Sequence, residues 1–112
     1  MYNRFMQEIV QNVITALKTA FNSSFNDFEG MYLYGSQARG DFNKDSDIDI
    51  VAVFKEENKE KRRAIWRIVS KIEYDFDVSI DLHPMTKEDL EKNTVFHNQV
   101  VEKGIFYDVE NL

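Results

Sequence analysis

The run Ile48-Asp49-Ile50-Val51-Ala52-Val53-Phe54 constrains the fold most. Its β-branched and aromatic residues favour extended backbone, and from Ile50 onward it has no polar side to turn to water. It therefore predicts a central strand covered on both faces. In a chain of 112 residues that means one modest core built in layers, a single domain over residues 1–112.

The flanking segments supply the cover. Phe5, Ile9, Val13, Leu17 and Ala20 recur at three- and four-residue spacing, which predicts an amphipathic helix from Arg4 to Phe21, ended by Asn22, Ser23, Ser24 and Asn26. Met31 to Tyr34 reads as a short buried strand that stops at a tight turn at Gly35. Glu57 to Ile72 forms a second helix with Ile65, Ile68, Val69 and Ile72 inward, and Lys59, Lys61, Arg62 and Arg63 on a solvated face. Phe76 to Leu82 alternates strictly, placing Val78, Ile80 and Leu82 on one side and Asp77, Ser79 and Asp81 on the other, with Pro84 as its stop. Thr86-Lys87-Glu88-Asp89 resembles a capping box that opens a helix toward Lys103, ended by Gly104, and Ile105-Phe106-Tyr107 adds a last strand. This order implies an α/β fold, a small mixed β-sheet flanked by helices.

With no cysteine, thiol nucleophiles, zinc thiolate sites and disulfides are excluded, and nothing ties the chain to an oxidising compartment. The N-terminal region lacks the continuous apolar stretch of a signal peptide or membrane span, so a cytoplasmic protein without membrane attachment is expected. A net charge of −6 argues against a nucleic-acid surface, which needs a basic face, and favours a protein or small molecule over DNA or RNA.

The chemistry concentrates in Gly35-Ser36-Gln37-Ala38-Arg39-Gly40 and Asp45-Ser46-Asp47-Ile48-Asp49. Two carboxylates at i and i+2 on a strand share a face, with Cα atoms roughly 7 Å apart, so their oxygens can converge on common cations. Such a pair suits phosphoryl or nucleotidyl transfer, in which two metal ions clamp the attacking and leaving oxygens, and Mg²⁺ is the natural occupant. Gly35 and Ser36 offer a close backbone approach and a hydroxyl to a phosphate at the start of a short helix. The Gly35 to Gly40 spacing is not a P-loop, because Asp41-Phe42 stands where Lys and Ser or Thr are required. Nor are the alternating acids of residues 41–49 a calcium loop, since Ser46 replaces its turn glycine and Ala52 its bidentate Glu.

Gly-Ser, ten residues, then Asp-x-Asp resembles the signature of the polymerase β-like nucleotidyltransferase superfamily. The fuller string, Gly-Ser-x-Ala-Arg-Gly followed by Asp-Ser-Asp-Ile-Asp, resembles the minimal nucleotidyltransferases of prokaryotes, many of them antitoxins paired with an all-helical HEPN toxin. The resemblance covers most of the chain and implies the nucleotidyltransferase fold. It implies that Asp47 and Asp49 bind two Mg²⁺ ions and that ATP is the donor, with Gly35, Ser36 and Arg39 on the nucleotide. It also implies a third acid on a later strand, near that strand's end. Asp81 in Ile80-Asp81-Leu82 has that form, as metal ligand and as the group that orients or deprotonates an acceptor hydroxyl. Asp77, on the same face, is the fallback. The expected reaction moves AMP to a hydroxyl of a partner protein, a tyrosine of a cognate HEPN toxin. A small-molecule or RNA acceptor, or a non-catalytic antitoxin acting by binding, are the alternatives, and oligomerisation is left open.

Elsewhere the plainer readings hold. Arg39 is equally a surface residue or a phosphate contact, Asp41, Lys44 and Asp45 are solvated loop residues, and His83 and His97 are structural. Trp66 and the nine phenylalanines are core candidates first, with any surplus forming an interface patch.

Overall fold

The run from Ile48 to Phe54 is strand β2 and lies inside a mixed four-stranded sheet. In this computed structural model, which describes residues 4–40 and 46–109, β2 pairs antiparallel with β1 (Phe28–Tyr34) and parallel with β3 (Ile80–Met85). A short strand β4 (Ile105–Tyr107) adds antiparallel to the outer edge of β1, giving the order β3-β2-β1-β4. Asp41, Lys44 and Asp45 fall outside the described residues.

Both faces of β2 are covered. Ile48, Ile50, Ala52 and Phe54 meet Val13 and Leu17 of α1 (Arg4–Ser24), and Ile65, Val69 and Ile72 of α3 (Lys59–Phe76). Val51 and Val53 point the other way, onto Leu90 and Val100 of the C-terminal helical segment. Asp49 shares that second face, one step before Val51, where the helical cover ends. A parallel β2–β3 pair requires a crossover, and α3 is that crossover.

Several boundaries move for identifiable reasons. Helix α1 continues through Asn22, Ser23 and Ser24, and Phe25 donates its N–H to the Phe21 carbonyl at 2.9 Å. Helix α3 starts later than Glu57, where Asn58 caps it by accepting the Lys61 N–H, and ends later than Ile72. Phe76 lies four residues beyond Ile72 and so extends the apolar stripe of the helix, which outweighs the alternating pattern from Phe76 to Ser79. Asp77 is therefore the left-handed C-cap of α3 (φ 53°), away from the strand on which it was the fallback acid.

Pro84 does not stop β3. Because Ile48 N–H bonds to the Ser79 carbonyl, the odd residues of β3 face β2 and the even ones face outward, so Pro84 removes no ladder hydrogen bond. The first outward N–H, that of Ile80, donates to Oε2 of Glu73 at 2.8 Å.

The last helix is broken into pieces. Thr86 caps α4 (Lys87–Lys92), then Asn93 turns extended and caps α5 (Thr94–His97) by accepting the Phe96 N–H, and a π turn follows over Asn98–Glu102. Gly104 then closes against the Val100 and Leu33 carbonyls, too tightly for any side chain.

Not every aromatic is core. Trp66 is 46% exposed, and Phe5, Tyr74 and Phe106 are also open to solvent. Lys61 leaves the solvated face assigned to it, donating to the Asp27 carboxylate and the Glu56 carbonyl with its ammonium 5.0 Å from the Phe54 ring centroid. No helix among the described residues is long and apolar enough to cross a membrane.

Candidate active site

Strand β1 ends at Tyr34, and the chain turns at Gly35 into α2 (Ser36–Arg39), a single helical turn closed by Gly40. Gly35 has φ 72° and ψ −147°, a conformation L side chains rarely adopt, and a Cβ there would collide with Oδ2 of Asp49. The glycine thus lets the turn and the first strand acid share one small volume.

Strand register sets the rest. Tyr34 lies opposite Asp49 across the antiparallel pair, and Asp49 lies opposite Asp81 across the parallel pair. Adjacent strands are about 4.8 Å apart, so the two acids are neighbours on one face, with Asp47 two residues before Asp49. Burial pushes the Asp49 carboxyl above the usual range, the charges of Asp81 and Asp47 push it further, and His83 and Arg39 oppose the rise. Arg39, exposed at the end of α2, is therefore part of the electrostatic surroundings of the acids.

Asp81 is the second residue of β3, at the beginning of that strand and not near its end. Its Oδ1 lies 3.3 Å from Nε2 of His83, and both side chains are about half exposed. His83 thus belongs to the surroundings of the site. Asp77, the C-cap of α3, lines another cleft with Phe5, Met6, Phe76 and Ser46.

Two neighbours were not singled out from the sequence. The Tyr34 hydroxyl is held well above its ordinary range, by burial first and then by Asp49 and Asp81, so it stays a neutral donor beside two carboxylates. Its ring meets Phe96 edge-on at 5.5 Å, and Phe96 meets His83 at 5.8 Å. Gln37 is buried in α2, its Nε2 reaching the Asp47 carbonyl at 3.5 Å, while Oε1 has no hydrogen-bond partner among the described residues. The signal for Tyr34 is its phase: if Leu33 is core, the residue between Leu33 and Gly35 faces with the acids. Gln37 has no comparable signal.

Among the described residues, no three acidic or histidine side chains close into a ready metal cage. The donor set nevertheless fits a hard divalent cation. Mg²⁺ is commonly held by one or two carboxylates with phosphate oxygens completing its shell, and Asp47, Asp49 and Asp81 offer oxygens on one face beside the Gly35-Ser36 turn. A triphosphate at that turn would be repelled by the acids unless a cation bridged them.

A mixed sheet with paired-strand acids beside a glycine-serine turn defines the nucleotidyltransferase fold. The nucleotidyltransferase domain family matches residues 13–107, and the chain belongs to that family. A crystal structure of a toxin-antitoxin with AMP-PNP is similar at 25% identity and a TM-score of 0.64, over 82% of this chain and 69% of that one. A Sulfolobus solfataricus chain assigned to the nucleotidyltransferases matches at 25% identity and 0.60, over 93% and 87%. The fold is also shared, at 22% identity and 0.59 over 87% and 70%, with a structure of a tri-AMPylated Shewanella oneidensis HEPN toxin in complex with MNT antitoxin. No curated protein matches the sequence.

Proposed function

We propose that this protein transfers AMP from Mg-ATP to a tyrosine hydroxyl of a partner protein, as the antitoxin of a HEPN-type toxin pair. The observation that carries the reading is register: Asp49 stands opposite Asp81 while its own carboxylate abuts Gly35, so metal-binding oxygens and a phosphate turn meet in one place. In this reading Asp47 and Asp49 hold Mg²⁺, which when bound neutralises the phosphates and polarises the α-phosphorus. Gly35, Ser36 and Arg39 hold the triphosphate. Asp81 orients the acceptor hydroxyl and takes its proton as the oxygen bonds to the α-phosphorus, and the α–β bridging bond breaks to release pyrophosphate.

The protein-directed version is favoured by the similarity to a toxin-antitoxin structure with AMP-PNP and by an acidic chain poorly suited to RNA. The test gives the purified protein α-labelled ATP, Mg²⁺ and the protein encoded beside it, and follows label by gel and mass spectrometry. Label on a partner tyrosine, lost in Asp47→Asn with the complex intact, is the expected result. A stable complex without transfer would replace the enzyme with an antitoxin acting by binding.

A further inference from the structure

We propose that a cleft beside His83 is the acceptor subsite, and that it receives a phenolic side chain of the partner protein and aims its hydroxyl at Asp81. The inference rests on the transferase reading and adds where the acceptor enters.

Position is the first argument. The cleft, about 380 Å³, is lined by Glu57, Arg62, His83, Met85, Asn93 and Phe96 together with Pro84. It begins where Asp81 ends, because His83 is two residues along the same face of β3 and its Nε2 lies 3.3 Å from the Asp81 carboxylate. The phosphate turn lies on the β1 side of Asp49 and Asp81 on the β3 side. An in-line displacement places the nucleophile opposite the leaving pyrophosphate, so an acceptor must approach from β3, the edge strand that carries this cleft.

The lining is the second argument. Phe96 and His83 cross at 78° with centroids 5.8 Å apart, and Met85 adds a polarizable thioether, a surface that favours an aromatic ring over the short aliphatic arm of serine or threonine. At the rim, Glu57 and Arg62 form an ion pair, Arg62 Nε lying 3.2 Å from Glu57 Oε1. About half of the Arg62 side chain is exposed, so its guanidinium can donate to a carbonyl of an incoming chain.

The first experiment needs no turnover. Asp47→Asn protein carrying ¹³C-methyl methionine is titrated with N-acetyl-L-tyrosinamide, N-acetyl-L-serinamide and AMP while the Met85 methyl resonance is followed. Saturable shifts with the tyrosine amide alone are expected, weakened about tenfold in Phe96→Ala and restored in Phe96→Trp. Because Phe96 also packs on Tyr34, the rim variant Arg62→Glu is measured in parallel. With the partner protein as substrate, Arg62→Glu should raise the KM for the partner and leave that for ATP unchanged. Shifts with AMP alone would make the cleft a base pocket, and no shift with any probe would empty it; either result overturns the proposal. Tyrosinamide binding without transfer to any protein would support the subsite and count only against the transferase reading.

Discussion

The two ends of β2 handle charge in opposite ways. At its far end Lys61 is taken out of water but fully engaged, by the Asp27 carboxylate, the Glu56 carbonyl and the faces of Phe25 and Phe54. Burial alone would raise the Asp27 carboxyl, yet the Lys61 hydrogen bond, the Glu56 N–H and the Lys61 charge hold it below its usual range. At the near end Asp49 is partly buried beside Asp81 and Asp47, and its carboxyl is raised. One end pairs its charges; the other keeps like charges side by side. Residues that are electrostatically unfavourable in the free protein are thus the ones to test for function.

The largest effect should come from emptying the near end. Asp81→Asn is expected to reduce transfer about a thousandfold, whereas Asp77→Asn, at the C-cap of α3, should stay within about twofold. Equal losses in initial-rate assays would break the contrast between site and scaffold. Next, Gly35→Ala must displace the Asp49 carboxylate and strain φ, with an expected loss of about a hundredfold, measured in the same assay. Breaking the far end should do the converse. Lys61→Met leaves Asp27 without its ion-pair partner and should lower stability by about 3 kcal/mol in urea denaturation, with transfer per folded molecule little changed.

The smallest effect sharpens the contrast by sign. Asp49 has its folded value above the ordinary 3.8, so its contribution to stability falls as pH rises from that value through the raised one. Asp27 has its folded value below 3.8, so its contribution is present above 3.8 and is lost as pH falls through the lowered value. Metal-free Asp49→Asn should therefore gain on the wild type as pH rises, and Asp27→Asn should lose ground; parallel urea titrations from pH 3 to 7 check both.

Much of this was legible because it depends on local pattern. The β2 run announces a doubly covered strand, and Gly35-Ser36 with Asp47-Ile48-Asp49 announces the candidate site whose parts the fold brings together. What was hidden depends on pairing. Asp81 could be chosen by form, but only the parallel register with β2 puts it opposite Asp49. Phe76 to Ser79 carries both periodicities, and the helix prevails because Phe76 has a core to reach. Pro84 reads as a stop until the outward-facing phase of β3 is known. Tyr34, Gln37 and His83 acquire meaning from neighbours that are distant in sequence.

The strand order also bears on how the chain is made. β1 gains β2 as its first partner soon after both are synthesised, but its other edge, Met31 to Leu33, waits for residues 105–107, made much later. Long-range pairing of that kind forms slowly, and an unpaired edge can recruit another strand in the meantime. A ribosome stalled before Ile105 would hold a nascent chain with this edge still open, so the interval before β4 docks is when the chain is most exposed to aggregation.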